Sequence, residues 1–234
     1  MRKSKSQKNE ASQLRLFNVQ AGELTENSDS GTGARSLNRE ELLSVLEKQR
    51  TLTENLIERI VDDGNLMRAY KQVAKNDGSS GVDGMEVNEL REWLGRNIQK
   101  LRQEILSEQY VVSPVRKVEI PKPEGGKRML GIPTVKDRLI QQAIHQELNR
   151  YYDPLFSKSS YGFRPGKSAQ DAILKASEYI KDGKEWVVDI DLEKFFDKIN
   201  HDRLMQRLSK GIGDKRLLRL IRAYLKSGIM DHGL

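Results

Sequence analysis

Two carboxylates, Asp189 and Asp191, close the run Val187-Val188-Asp189-Ile190-Asp191, and paired aromatics follow at Phe195-Phe196. Side chains alternate along an extended chain, so a strand here puts Val187, Asp189 and Asp191 on one face and Trp186, Val188 and Ile190 on the other. Carboxylates at the end of a rigid element suit Mg²⁺, a hard cation that takes oxygen ligands and commonly uses one or two carboxylates together with substrate phosphates. The pattern points to phosphoryl-transfer chemistry, with Asp191 as the metal ligand and Asp189 beside it. A plainer role stands next to that one: an acid at a strand end also caps the helix that follows.

Three basic positions accompany the acids. Lys122 and Arg128 flank the tip of a predicted hairpin, where lysine acts as a point charge and arginine as a fork toward phosphates. A solvated turn explains them equally well. Arg164 sits in Tyr161-Gly162-Phe163-Arg164-Pro165-Gly166, where flanking glycines admit close approach of a ligand to the backbone. That stretch also reads as a plain turn. His145, His201 and His232 are scattered and read as structural, and no phosphate-binding loop, nucleophile elbow or dinucleotide fingerprint is present. The absence of cysteine excludes disulfides and thiolate metal sites.

The elements that must hold these residues alternate irregularly. Residues 1–36 are polar, with Ser, Gly, Asn and Thr clusters, and read as a flexible tail. A helical pattern runs from an Asn38 cap through Leu42, Leu46, Leu52, Leu56 and Ile60, and Asp62-Asp63-Gly64-Asn65 breaks it. A second helix carries Leu66, Ala69, Tyr70 and Val73. The turn formers of Asn76–Gly84 then predict a loop of little intrinsic order, and residues 86–109 read as helix. Strands at Val115–Ile120 and Lys127–Ile132 bracket the turn Pro121–Gly126. Helices follow Pro133, Ser168 (with Asp171 as its capping-box partner), Asn200 and Asp214, and a central strand is expected at 186–191. The fold class is α+β, without regular strand–helix alternation.

Charge narrows the partner. The chain carries a net charge of +7, and no apolar run approaches the roughly 20 residues of a membrane span. Between Ser113 and Lys167 there are 11 Lys/Arg against 5 Asp/Glu, and between Asn200 and Leu234 there are 8 against 3. Concentrated positive charge of this kind favours a polyanion, because neutralising phosphates releases counterions. A basic surface that serves only solubility is the alternative.

The ordered blocks Ile120-Pro121-Lys122-Pro123, Arg128–Thr134, Asp137–Ala143, Tyr161–Gly166 and Asp189–Asp197 closely resemble bacterial group II intron reverse transcriptases, or maturases. Gly78–Gly84 resembles that family's additional N-terminal block. The resemblance covers about residues 40–231. It implies the fingers and the beginning of the palm of a right-hand polymerase: a tail at 1–36, a helical extension at 37–110, fingers at 111–183 and palm from 184 to 234. By motif position, Asp191 is the first catalytic aspartate and a Mg²⁺ ligand, with two Mg²⁺ ions clamping the 3′-hydroxyl and α-phosphate. Phe196 is the gate beneath the sugar, and Lys122 and Arg128 clasp the incoming dNTP. Tyr161, Gly162, Arg164, Pro165 and Lys167 touch the template and the nascent pair, and Gly81 lies in a loop over the template. The implied partners are group II intron RNA, an RNA template and a DNA primer, in a bacterial cytoplasm, with no membrane partner.

The pattern departs from the family at one place. The aromatic-x-Asp-Asp element that completes the catalytic centre is absent, and the lone Asp62-Asp63 pair is far upstream. The expectation is a truncated polymerase that binds RNA without polymerising. Leu217, Leu220 and Leu225 would then lack cover and promote self-association. The alternatives are a splicing-only, RNA-binding maturase and a reverse transcriptase of the retron, diversity-generating or CRISPR type.

Overall fold

A computed structural model describes residues 53–231 except Lys122 and Glu124. The tail, the Asn38 cap with its first helical turns, Lys122 and His232 lie outside the described residues.

Apolar residues at helical spacing build the core. In α1 (Leu56–Ile60), Leu56, Ile57 and Ile60 are buried. Asp62 caps α2 (Asp63–Asn76) by accepting from the Gly64 N–H at 2.9 Å, and Leu66, Ala69 and Val73 form its inner stripe. In α3 (Leu90–Leu106) the stripe is Leu90, Leu94, Leu101 and Ile105. Thr134 caps α4 (Val135–Tyr152), whose Val135, Leu139, Ile140, Ala143 and Ile144 face the same core. Each fully buried leucine or isoleucine contributes roughly 1.5–3 kcal/mol, so these stripes hold the molecule together.

The hairpin forms over the predicted strands. Strands β1 (Val115–Pro121) and β2 (Lys127–Ile132) pair antiparallel from Arg116↔Ile132 to Pro121↔Lys127. Gly125 and Gly126 turn the chain at φ 92° and 85°, a region that other residues avoid. Three further helices follow: α5 (Ala169–Lys181), α6 (His201–Gly211) and α7 (Lys215–Lys226). Ser168, Asn200 and Asp214 are their caps, and Ser168 and Asp171 form a reciprocal capping box. A two-residue strand, β3 (Ile229–Met230), then pairs parallel with β1, giving the sheet order β2-β1-β3.

Two expectations fail here. The first is the uncovered C-terminal helix. Leu217 is fully buried, Leu220 nearly so and Leu225 half-buried, because α7 lies against the same core as α1 and α4. Asp214 holds it there by accepting the Ile57 N–H at 3.0 Å. The cover is supplied from within the chain, so self-association through this face loses its rationale. The second is the strand at 186–191. Residues 184–192 form neither helix nor strand, with Trp186 92% and Val187 85% exposed. An extended segment becomes a strand only when another satisfies its N–H and C=O groups, and no described strand lies beside it. Helix α5, which leads into it, has no buried residue, and Ile173, Leu174 and Ile180 face solvent.

Candidate nucleic-acid interface

The Gly-rich loop after α2 is docked against the neighbouring elements. The Arg138 Nη1 and Nη2 groups donate to the carbonyls of Asp77 and Ser79 at 3.0 and 2.9 Å. Arg116 Nε on β1 donates to the Ser80 carbonyl at 3.0 Å, and Lys136 pairs with Asp83 at 3.2 Å. Gly81 is buried where the loop meets the start of α4. A Cβ there would lie 2.5 Å from Thr134 Cα, so only glycine fits. The expectation of little intrinsic order is overturned for this reason: four anchors outside the loop supply what its own sequence lacks. Gly81 faces inward, so the expectation that it lies over a template does not fit its burial, while Asp77, Gly78, Ser79, Asp83 and Gly84 beside it are exposed.

The hairpin's cations divide by partner. Arg116 is spent on the loop. Lys117 pairs with Asp231 at 2.7 Å, and that hydrogen bond raises its pKa. Lys127 pairs with Glu119 at 2.6 Å, and this partner holds the Glu119 carboxyl below its ordinary range. Arg128 is exposed and makes no ion pair or hydrogen bond among the described residues. By elimination Arg128 is the described hairpin cation free to take a ligand, and Lys122 lies outside the described residues.

The turn around Arg164 is arranged opposite to the phosphate-holding reading. All five guanidinium N–H groups are used internally. Nε donates to Asp153 Oδ1 at 2.7 Å, and Nη1 to the Ser157 and Ser160 carbonyls at 2.7 and 3.1 Å. Nη2 donates to the Asp153 carbonyl at 2.9 Å and to Asp153 Oδ2 at 3.3 Å. The bond from Arg164 holds the Asp153 carboxyl below the usual range. A guanidinium has five donors and no more, so Arg164 is a clamp that shapes the turn rather than a phosphate ligand. The clamp displays its neighbours. Lys167 Nζ lies 4.9 Å from the centre of the Tyr161 ring, and Gly162 and Pro165 are exposed. Phe163, which sequence reasoning passed over, stands fully exposed at φ 55°. An aromatic between Gly162 and an arginine was the available signal.

Asp189, Asp191 and Phe196 lie on the exposed segment after α5. Asp191 Oδ1 accepts only the adjacent Leu192 N–H, at 2.9 Å. Phe196 is 86% exposed, with the Phe195 ring edge-on to it at 5.5 Å. Among the described residues no three His, Asp or Glu side chains gather as a metal site. The donor set as arranged therefore does not fit a two-Mg²⁺ centre. The structure thus joins loop 77–84 to the hairpin, joins Tyr161 to Lys167, and among the described residues gathers no cluster of three acids around Asp191.

Residues 120–233 match the family described as reverse transcriptase (RNA-dependent DNA polymerase). The chain is 36% identical over 165 residues to protein YkfC of Escherichia coli, covering 69% of this chain and 43% of that protein. It is 34% identical over 165 residues to the group II intron-encoded protein LtrA of Lactococcus lactis, covering 70% of this chain and 27% of that one. It is also 30% identical over 190 residues to the putative COX1/OXI3 intron 1 protein of Saccharomyces cerevisiae, covering 78% and 22%. The chain thus spans less than half the length of each. Residues 120–233 place this chain among the reverse transcriptases, and over about 70% of its length it is similar to a group II intron-encoded protein.

Proposed function

We propose that this chain is the RNA-facing part of an RNA-directed DNA polymerase that also binds its own group II intron RNA. The observation that carries the reading is the shared anchor of the Gly-rich loop and the basic hairpin. Loop 77–84 and hairpin 115–132 both meet at Pro133–Thr134, so they present one continuous surface. On that surface Arg128 forks the triphosphate of the incoming nucleotide, and by motif position Lys122 is the further candidate cation. Tyr161, Gly162, Pro165 and Lys167 meet the template, and the Phe163 ring offers a face on which a base stacks. Residues 37–110 act as the intron-type extension, 111–183 as fingers and 184–234 as the start of the palm. Reverse transcriptases use Mg²⁺, and Asp191 is the candidate ligand in this chain. Among the described residues it belongs to no cluster of three metal-ligating side chains, so no step is assigned to it.

One observation favours a second reading, an RNA-binding splicing factor without polymerisation: Asp191 lies on an unpaired segment, outside any cluster of three metal-ligating side chains among the described residues. Two measurements on the purified 234-residue chain separate these outcomes. Affinity for structured intron RNA and for generic RNA of equal length, across a salt series, is expected to favour intron RNA. Equal affinities at every salt concentration would remove the intron-specific part of the proposal, and no binding at low salt would remove all of it. Primer extension on an RNA template is expected to be undetectable with this chain, and extension would exclude the second reading.

A further inference from the structure

We infer that Arg138, with Arg116 and Gly81, is a positioning device that locks loop 77–84 to the base of the hairpin, so that RNA under the loop is held in fixed register with the nucleotide-clasping cations. The inference rests on the proposed RNA-binding role of this surface and adds what fixes its geometry.

The physical case begins with the loop's composition. Asp77, Gly78 and Gly84 have positive φ, at 52°, 105° and 71°. A chain with that many left-handed positions gains little from local structure, and fixing each residue costs backbone entropy. Something outside the loop must hold it. Arg138 does so with a fork: its two terminal nitrogens take carbonyls two residues apart, Asp77 and Ser79. Asp77 is also the C-cap of α2, where the helix presents unpartnered carbonyls and partial negative charge, so a cation is favoured there twice over. Arg116 adds the Ser80 carbonyl from β1, the central strand of the sheet. Gly81 then lies against Thr134, the cap of α4.

These anchors belong to elements continuous with the hairpin. Arg116 is paired with Ile132 across the ladder, and Thr134 and Arg138 follow β2 directly. A displacement of the hairpin base is therefore transmitted to the loop, and the reverse. Arg138 sends both terminal nitrogens into carbonyls of its own chain, so its effect on RNA is indirect.

Two substitutions undock the loop by unrelated means. Arg138→Lys keeps the charge and removes the fork. Gly81→Ala keeps every charge and drives a methyl into the Thr134 backbone. Three readouts are needed on each variant and on the double variant: amide exchange across 77–84, melting temperature, and affinity for a single-stranded RNA oligonucleotide over a salt series. The expected result is faster exchange in the loop and about tenfold weaker RNA binding, a loss of about 1.4 kcal/mol. The slope of log affinity against log salt is expected to stay unchanged, because no phosphate contact is removed. The double variant is expected to be no weaker than the weaker single one, since a loop undocked once cannot be undocked again. Should Gly81→Ala fail to fold, Arg138→Lys decides alone. Unchanged affinity with a loosened loop, unchanged loop exchange in Arg138→Lys, or a salt slope lowered in Arg138→Lys would each overturn the positioning role while leaving the RNA-binding role standing. No RNA binding by the unaltered chain would overturn both.

Discussion

At the scale of single residues, the charges that look free in the sequence are mostly committed. Arg164 is the clearest case, because its five donors are matched by five acceptors within its own turn. Arg164→Ala is expected to loosen residues 153–168 and weaken RNA binding while leaving the salt slope unchanged. Lys167→Ala, which removes a displayed cation, is expected to lower the slope by about 0.7 for a single strand. A salt series on both variants checks this, and a reduced slope in Arg164→Ala would return that arginine to the phosphate. Asp214 is the second case. Burial pushes its carboxyl up, but the N–H groups of Ile57 and Leu217 and the Arg216 side chain outweigh burial and hold it below the ordinary value. A carboxyl with a depressed folded pKa stabilises the fold above its unfolded value, near about 4, and that contribution is lost as the pH falls through the folded value. Asp214→Asn is expected to cost about 3 kcal/mol at neutral pH, as removal of one partner from a buried charged network does. Its denaturation midpoint is expected to fall less than the parent's between pH 5 and 2.

At the scale of elements, α7 is buried where its sequence suggests exposure, and α5 is exposed. Both carry apolar stripes, and only packing distinguishes them. Leu217→Ala is expected to cost about 2–5 kcal/mol, the range for a fully buried leucine, whereas Ile173→Ala or Leu174→Ala should stay within about 0.5 kcal/mol. Urea denaturation measures all three, and equal losses would contradict the packing described. Amide exchange supplies a second check. Residues 184–192, with no ladder to protect them, are expected to exchange at near-random-coil rates, while α4 and α7 are protected. Protection at 187–190 equal to that of the helices would show that the segment is paired after all.

At the scale of the whole molecule, one helical core carries both the Gly-rich loop and the hairpin, and the described residues contain no helix long and apolar enough to cross a membrane. The net charge of +7 draws polyanions to this core from a distance, but it is the docked loop that gives the surface a shape. RNA affinity is therefore expected to combine a steep salt dependence with a preference for structured intron RNA that persists after the salt-dependent part is removed. A chain scrambled in residues 77–84 at constant composition tests this in the same titration: the slope is expected to remain and the preference to disappear.

Local physics was fully legible in the sequence. Capping pairs such as Ser168 with Asp171, the Gly125-Gly126 turn and the helical stripes depend on neighbours a few residues apart, and they appear where the pattern puts them. The ordered motifs likewise identified the family, because residue types and spacing are themselves sequence properties. What only the tertiary structure decided is which side chains are already satisfied. The five acceptors around Arg164, the carbonyls that hold Arg138 and the core that covers Leu217 are brought together by folding. The same holds for the strand at 186–191: alternation marked it as extended, but a strand exists only where another one hydrogen-bonds to it, and the described chain brings none to its side. Asp191 is therefore named by the sequence as the residue on which chemistry would turn, and shown by the structure to lack, among the described residues, the partners that a metal centre requires.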